Sequence, residues 1–237
     1  MEEHKITKLK SNHKFVLTEK YKFYDKSFWH RLISFLHRLV AVVVFKFWIN
    51  VFYKIKVVGK VNLKYLKKQG FVVVSNHVHV LDIQMIAMNV FGMRKVNYLT
   101  LERNFNLSVH RLLKNSGAIP IPDNDELKPK FFSEMNKLLK EGNILHICPE
   151  GALYDNNTKL QPFKNGAFRF ALENNVPVVP ITLQLDYKKN KENKIKYNIL
   201  VNNPIYPNMN YADIKTETEV FKKKVFNLMR KQVKAKV

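Results

Sequence analysis

The segment Asn76-His77-Val78-His79-Val80-Leu81-Asp82 sets a histidine and a carboxylate five positions apart. It follows directly on the apolar run Phe71-Val72-Val73-Val74-Ser75. An imidazole held by a carboxylate is a general base near neutral pH. On one continuous helix, five positions would turn the two side chains about 140° apart. The pair therefore predicts His77 in a loop and Asp82 in the first turn of the following helix. A second polar cluster, Cys148-Pro149-Glu150-Gly151, closes the apolar run that starts at Ile144. Two such clusters at the ends of two strand-like runs predict one shared site at the carboxyl edge of a sheet.

The elements that must position these residues are legible as alternating patterns. Strand-like runs recur at Phe71–Ser75, Val96–Thr100, Ala118–Ile121, Ile144–Cys148, Val178–Leu185 and Ile195–Val201. Helical spacing appears over Lys130–Lys140, around Phe168, Ala171 and Leu172, and over Ala212–Val237. Strands alternating with helices predict an α/β fold, with a mixed, largely parallel sheet flanked by helices in a single domain. The basic run Lys188–Lys191 reads as an exposed loop between two strands.

The amino-terminal part has a different character. Residues 1–26 are Lys-rich and read as a loosely ordered arm or a surface helix. Leu39 to Phe45 is unbroken apolar sequence, followed after Lys46 by Phe47, Trp48, Ile49, Val51, Phe52 and Tyr53. Residues 32–53 approach the roughly 20 apolar residues that a spanning helix needs. Arg31, Ser34 and Arg38 form a polar stripe through the segment. Charges in mid-bilayer are costly, so the segment predicts one or two N-terminal membrane-associated helices lying in or dipping into the interface, with a spanning helix and a buried helix packed on the domain as the alternatives. The division expected is residues 1–56 as arm and membrane-interacting segment, and 57–237 as the catalytic domain.

Composition narrows the function classes. In 237 residues, 41 basic and 19 acidic side chains leave a formal charge of +22. Such a surface attracts anionic headgroups, nucleic acid or acidic proteins. No familiar nucleic-acid motif occurs, so nucleic acid is not expected as a partner. The single cysteine, Cys148, forms no intramolecular disulfide and fits a reducing compartment. Residues 1–30 do not read as a secretory signal. The expected location is the cytoplasmic face of a membrane, in a peripheral or monotopic mode.

Four blocks, in order, give the chain a resemblance to the glycerolipid acyltransferases of the 1-acyl-glycerol-3-phosphate type. They are Val73 to Asp82 with its HxxxxD pattern, Gly117-Ala118-Ile119-Pro120-Ile121, Pro149-Glu150-Gly151 with Phe163-Lys164-Asn165-Gly166-Ala167, and Val176-Pro177-Val178-Val179-Pro180-Ile181. The resemblance spans roughly residues 55–230. It implies that His77 and Asp82 are catalytic, and that Asn76, Glu150, Gly151 and Lys164 bind substrate. It implies acyl transfer from acyl-CoA or acyl carrier protein to a lysophospholipid hydroxyl, with membrane lipids as partners and no cofactor or metal.

The chain departs from that family pattern at three places. His79 stands where the family often has Ser. The Arg expected near Asp123 and the Arg expected at Leu153 are both absent. Lys128, Lys130, Lys159 and Lys164 are the candidates to replace their charge, and Tyr154 and Asp155 are candidates to line the acceptor pocket. Two rival readings follow from the residues alone. His77, His79 and Asp82 could serve a metal-dependent hydrolase, and a scaffold without turnover could act as a basic membrane binder. His146 reads as a satisfied sheet residue, and Cys148 as a small strand residue.

Overall fold

The computed structural model describes residues 15–107, 109–154, 159–186 and 196–234. Seven strands form one sheet in the order β1-β7-β6-β2-β5-β3-β4. They are β1 Lys56–Val58, β2 Phe71–Ser75, β3 Val96–Leu101, β4 Ala118–Ile121, β5 Ile144–Ile147, β6 Val178–Asp186 and β7 Lys196–Val201. All neighbours are parallel except the antiparallel pair β6 and β7. Every residue of β2 is buried. A central parallel strand is covered on both faces, which is why its sequence is a continuous apolar run rather than an alternating one. Lys188–Lys191 and Asp155 lie outside the described residues.

Helices cover both faces. On one side Lys128–Lys140, Gly166–Glu173 and Ile214–Lys234 bury Phe131, Met135, Leu138, Phe168, Phe221 and Val225 against the sheet. On the other, the helix starting at Asp82 buries Met85, Ile86 and Val90. Strand β1, which the sequence pattern does not reveal, is an edge strand of three residues paired to β7.

Residues 15–26 correct the expectation of a loose arm or surface helix. They form an extended strap, with Leu17 and Phe23 buried in the main core. The strap is fastened by Phe15 N–H to Asn106 Oδ1 at 2.7 Å and Tyr24 N–H to Glu134 Oε2 at 2.7 Å. The aromatic residues among the lysines supply apolar area that a Lys count hides.

Phe28–Tyr53 is a helix of 26 residues, long and apolar enough to cross a membrane. It is about 39 Å long at 1.5 Å per residue, and one wider turn at Ala41–Phe45 interrupts it. Its polarity is inverted relative to a soluble surface helix. His30, Ser34, His37, Arg38, Lys46 and Asn50 lie on the half-buried or buried side. Phe28, Trp29, Val43, Phe47 and Phe52 are each at least 60% exposed. The polar stripe foreseen from Arg31, Ser34 and Arg38 therefore turns inward at Ser34 and Arg38, while Arg31 stays exposed.

Candidate active site

Strand β2 ends at Ser75, and the chain turns through Asn76–Leu81 before the helix begins at Asp82. Asn76 is buried, and its side-chain amide is engaged by the backbone of Leu183 on β6. Nδ2 donates to the Leu183 carbonyl at 2.9 Å, and Oδ1 accepts the Leu183 N–H at 2.8 Å. The amide thus extends the β2–β6 pairing by one residue and aims the turn. The sequence assigned Asn76 to substrate; its described contacts are to the chain itself.

Asp82 is fully buried. Its Oδ2 accepts from three donors: His77 Nδ1 at 3.0 Å, Val78 N–H at 2.6 Å and His79 N–H at 2.8 Å. Two of these are backbone donors, so the oxygen is an acceptor throughout. The proton of the neutral His77 ring must then sit on Nδ1, which leaves the Nε2 lone pair open. The His77 side chain is 20% exposed. Together these fix an accessible base in one tautomer.

Strand β5 lies beside β2 in parallel register, with Val74 opposite Ile147, so both chain ends reach the same edge. The Cys148–Tyr154 loop is bound to the His77–Asp82 turn at two points. Tyr154 N–H donates to the His77 carbonyl at 3.2 Å, and His77 N–H donates to the Glu150 carboxylate. Burial pushes the Glu150 carboxyl up to about 8, against the lowering effect of hydrogen bonds from Gln161 and His77. Glu150 thus braces two loops; the sequence expected it to touch substrate.

Gly151 has φ +74°, and a β-carbon there would lie 2.6 Å from Lys164 Nζ. The lysine side chain passes over the glycine, held by its own backbone N–H to the Pro149 carbonyl at 2.8 Å. The positive φ favours glycine here, and a β-carbon would in addition displace the end of the Lys164 side chain. Lys164 and Lys159 are exposed, and so is Arg103, two residues past the end of β3. Arg103 follows the strand beside β5, a neighbourhood that no local sequence pattern carries. Lys128 and Lys130 are committed elsewhere, Lys128 to Asp125, and Lys130 to the Glu19 carbonyl and Glu134.

Beneath His77, Ser75 Oγ lies 2.8 Å from His146 Nε2 and 3.6 Å from Cys148 Sγ. Burial lowers His146 to about 3 and raises the Cys148 thiol to about 12. A neutral imidazole and a protonated thiol result, so this layer supports the turn and supplies no nucleophile.

His79, which the sequence offers with His77 and Asp82 as a metal-ligand set, has both ring nitrogens facing groups of the chain. Its Nδ1 accepts the Leu81 N–H at 3.1 Å, and its Nε2 faces Tyr53 Oη at 3.4 Å. Both nitrogens are occupied by the protein itself. Among the described residues, no group of three His, Cys, Asp or Glu side chains could hold a metal ion.

The sequence pattern of the Acyltransferase family matches residues 54–184, which include both loops and the His77–Asp82 pair. The chain belongs to the acyltransferase family. It is 29% identical over 131 residues to a 1-acyl-sn-glycerol-3-phosphate acyltransferase of Bacillus subtilis (strain 168), covering 55% of this chain and 62% of that protein. It is 30% identical over 149 residues to the chloroplastic 1-acyl-sn-glycerol-3-phosphate acyltransferase BAT2 of Brassica napus, covering 62% of this chain and 42% of that one. The chain thus spans less than two thirds of the length of these curated relatives. The crystal structure of the 1-acyl-sn-glycerophosphate acyltransferase PlsC from Thermotoga maritima superposes with a TM-score of 0.55 at 18% identity. That match covers 87% of this chain and 81% of PlsC, and it establishes the shared acyltransferase fold.

Proposed function

We propose that this acyltransferase moves a fatty acyl group from an acyl thioester to the free hydroxyl of 1-acyl-glycerol-3-phosphate, yielding phosphatidic acid. The observation that carries the reading is the three-donor contact at Asp82 Oδ2, which leaves His77 Nε2 as an accessible base. In the reaction, His77 Nε2 takes the proton of the acceptor hydroxyl. The oxygen attacks the thioester carbonyl, and a tetrahedral intermediate forms. Its collapse breaks the C–S bond, and the leaving thiolate recovers the proton from the imidazolium. Asp82 stabilises the charged ring between the two transfers. Each proton and electron pair is accounted for without a metal or redox cofactor.

Acyl-CoA and acyl carrier protein are the donors consistent with a chain of charge +22, since both are anionic. With no arginine at positions 123 and 153, Arg103 and Lys164 are the cations we assign to the acceptor phosphate. Arg103 offers a bidentate fork; Lys164 offers a point charge. The outward apolar face of Phe28–Tyr53 supports an interfacial placement, and the side we assign is the cytoplasmic one.

The deciding experiment incubates the full chain in mixed micelles with acyl-CoA or acyl carrier protein thioesters and a panel of lysophospholipids, read by mass spectrometry. Phosphatidic acid formed by the wild type and lost in His77→Ala establishes the reaction. Turnover retained in His77→Ala, or a product from a different acceptor alone, overturns it.

A further inference from the structure

The apolar helix ends at Tyr53, where Lys54 takes a left-handed conformation at φ 44° and ψ 53°. This stop turns the chain into β1, whose start lies at the same sheet edge as His77, because β1 and β7 run opposite to β6 and β2. Tyr53 meets two rings there. Its centroid is 5.2 Å from that of His79 and 5.3 Å from that of Tyr197, and His79 and Tyr197 are 5.8 Å apart. Tyr197 is fully buried on β7. The three rings meet edge to face and join the helix, the catalytic turn and the sheet.

His79 is the centre of this cluster and also of the turn. Its N–H donates to Asp82 Oδ2, and its carbonyl accepts the Asp82 N–H at 3.1 Å. Its Nδ1 accepts the Leu81 N–H. The ring proton is therefore on Nε2, pointing at Tyr53 Oη.

We propose that His79 is a positioning residue, and that the Tyr53–His79–Tyr197 cluster is a latch by which the seated apolar helix holds the His77–Asp82 turn in its reactive geometry. The helix presents its other face to lipid, so the element that meets the bilayer is the one that closes the latch. Engagement at the interface and competence of the base become one event. The activity part of this inference rests on the acyl-transfer reading; the structural part does not.

The test uses the full chain in mixed micelles and two readouts. The first is amide hydrogen exchange at Val78 and His79, whose N–H groups are held by Asp82. The second is kcat and KM. Tyr53→Ala and His79→Ala are each expected to speed exchange at both amides at least tenfold and to lower kcat at least tenfold, with KM within twofold. Tyr53→Phe, which keeps the ring and removes Oη, is expected to fall between these and wild type. Val220→Ala, at an exposed position on the distant helix Ile214–Lys234, is expected to match wild type. The double variant is expected to be no worse than the more impaired single one, since both break one contact. Unchanged exchange in Tyr53→Ala overturns the latch, as does an equal effect from Val220→Ala. If Tyr53→Ala does not fold, Tyr53→Phe decides, and exchange equal to wild type there overturns the hydrogen-bonded latch. Absence of wild-type turnover overturns the acyl-transfer reading while exchange still judges the latch.

Discussion

The backbone N–H of Tyr154 donates to the carbonyl oxygen of His77 at 3.2 Å, while the His77 N–H is given to Glu150. Both backbone groups of the proposed base are thus held by one neighbouring loop. That loop turns at Gly151, under the side chain of Lys164. Gly151→Ala is expected to lower stability by about 1–2 kcal/mol, through a strained positive φ and the displaced lysine. Thermal melting checks the first effect. The second should appear as a higher KM for the acceptor, larger than the change in kcat.

Asp82→Asn replaces a three-donor acceptor with an amide that can present N–H groups toward Val78 and His79 N–H. The ring of His77 then loses the partner that fixes its tautomer. We expect kcat to fall about 10³-fold and stability to fall by about 1–3 kcal/mol. Initial rates at saturating acceptor and a denaturant melt measure the two separately. An unaltered kcat would remove Asp82 from the mechanism.

Glu150 gives a pH-dependent prediction. Its folded-state carboxyl titrates at about 8, above an ordinary value of 4.5. Between those values the folded chain holds a proton that the unfolded chain has lost. Glu150 therefore favours folding below about pH 4.5, and its contribution declines as pH rises, until it is lost above 8. Glu150→Gln cannot titrate. It is expected to match wild type near pH 4 and to exceed it by about 2 kcal/mol near pH 8.5. Melting curves across that range check the crossing, and a constant difference at every pH would refute the assignment.

Arg103 and Lys164 test the choice of acceptor. Arg103→Ala and Lys164→Ala are each expected to raise KM for 1-acyl-glycerol-3-phosphate about tenfold, consistent with one lost charge-assisted contact of roughly 1.4 kcal/mol. The kcat should stay within about threefold. A monoacylglycerol acceptor, which lacks the phosphate, should show no such difference between variants and wild type.

The strands that carry the site were readable because buried parallel strands are written as continuous apolar runs. Phe71–Ser75 and Ala118–Ile121 appear in the structure with the expected limits. His77 in a turn and Asp82 at a helix start follow from the five-residue spacing, and the structure has both. Three features were hidden for physical reasons. Strand β1 is three residues long, too short for a period to show. The strap at residues 15–26 buries isolated apolar residues between lysines. Arg103 follows the strand beside β5, and strand order is a property of the folded sheet rather than of local sequence. The inward face of the apolar helix is the instructive case. Its polar stripe was visible, but whether a stripe faces water or protein is decided by what covers the other side.

Strand β1 also sets an order of events during synthesis. Its neighbour in the sheet is β7, with Val57 opposite Ile199, so the two meet only after roughly 140 further residues have been made. At about 5–20 residues per second, translation supplies β7 roughly 7–30 s after β1 emerges. Through that interval the apolar helix exists while the strand that anchors it to the sheet waits for its partner. The first strand of the sheet to be made is therefore the last to gain its partner, and the β1 edge closes only once β7 has joined β6.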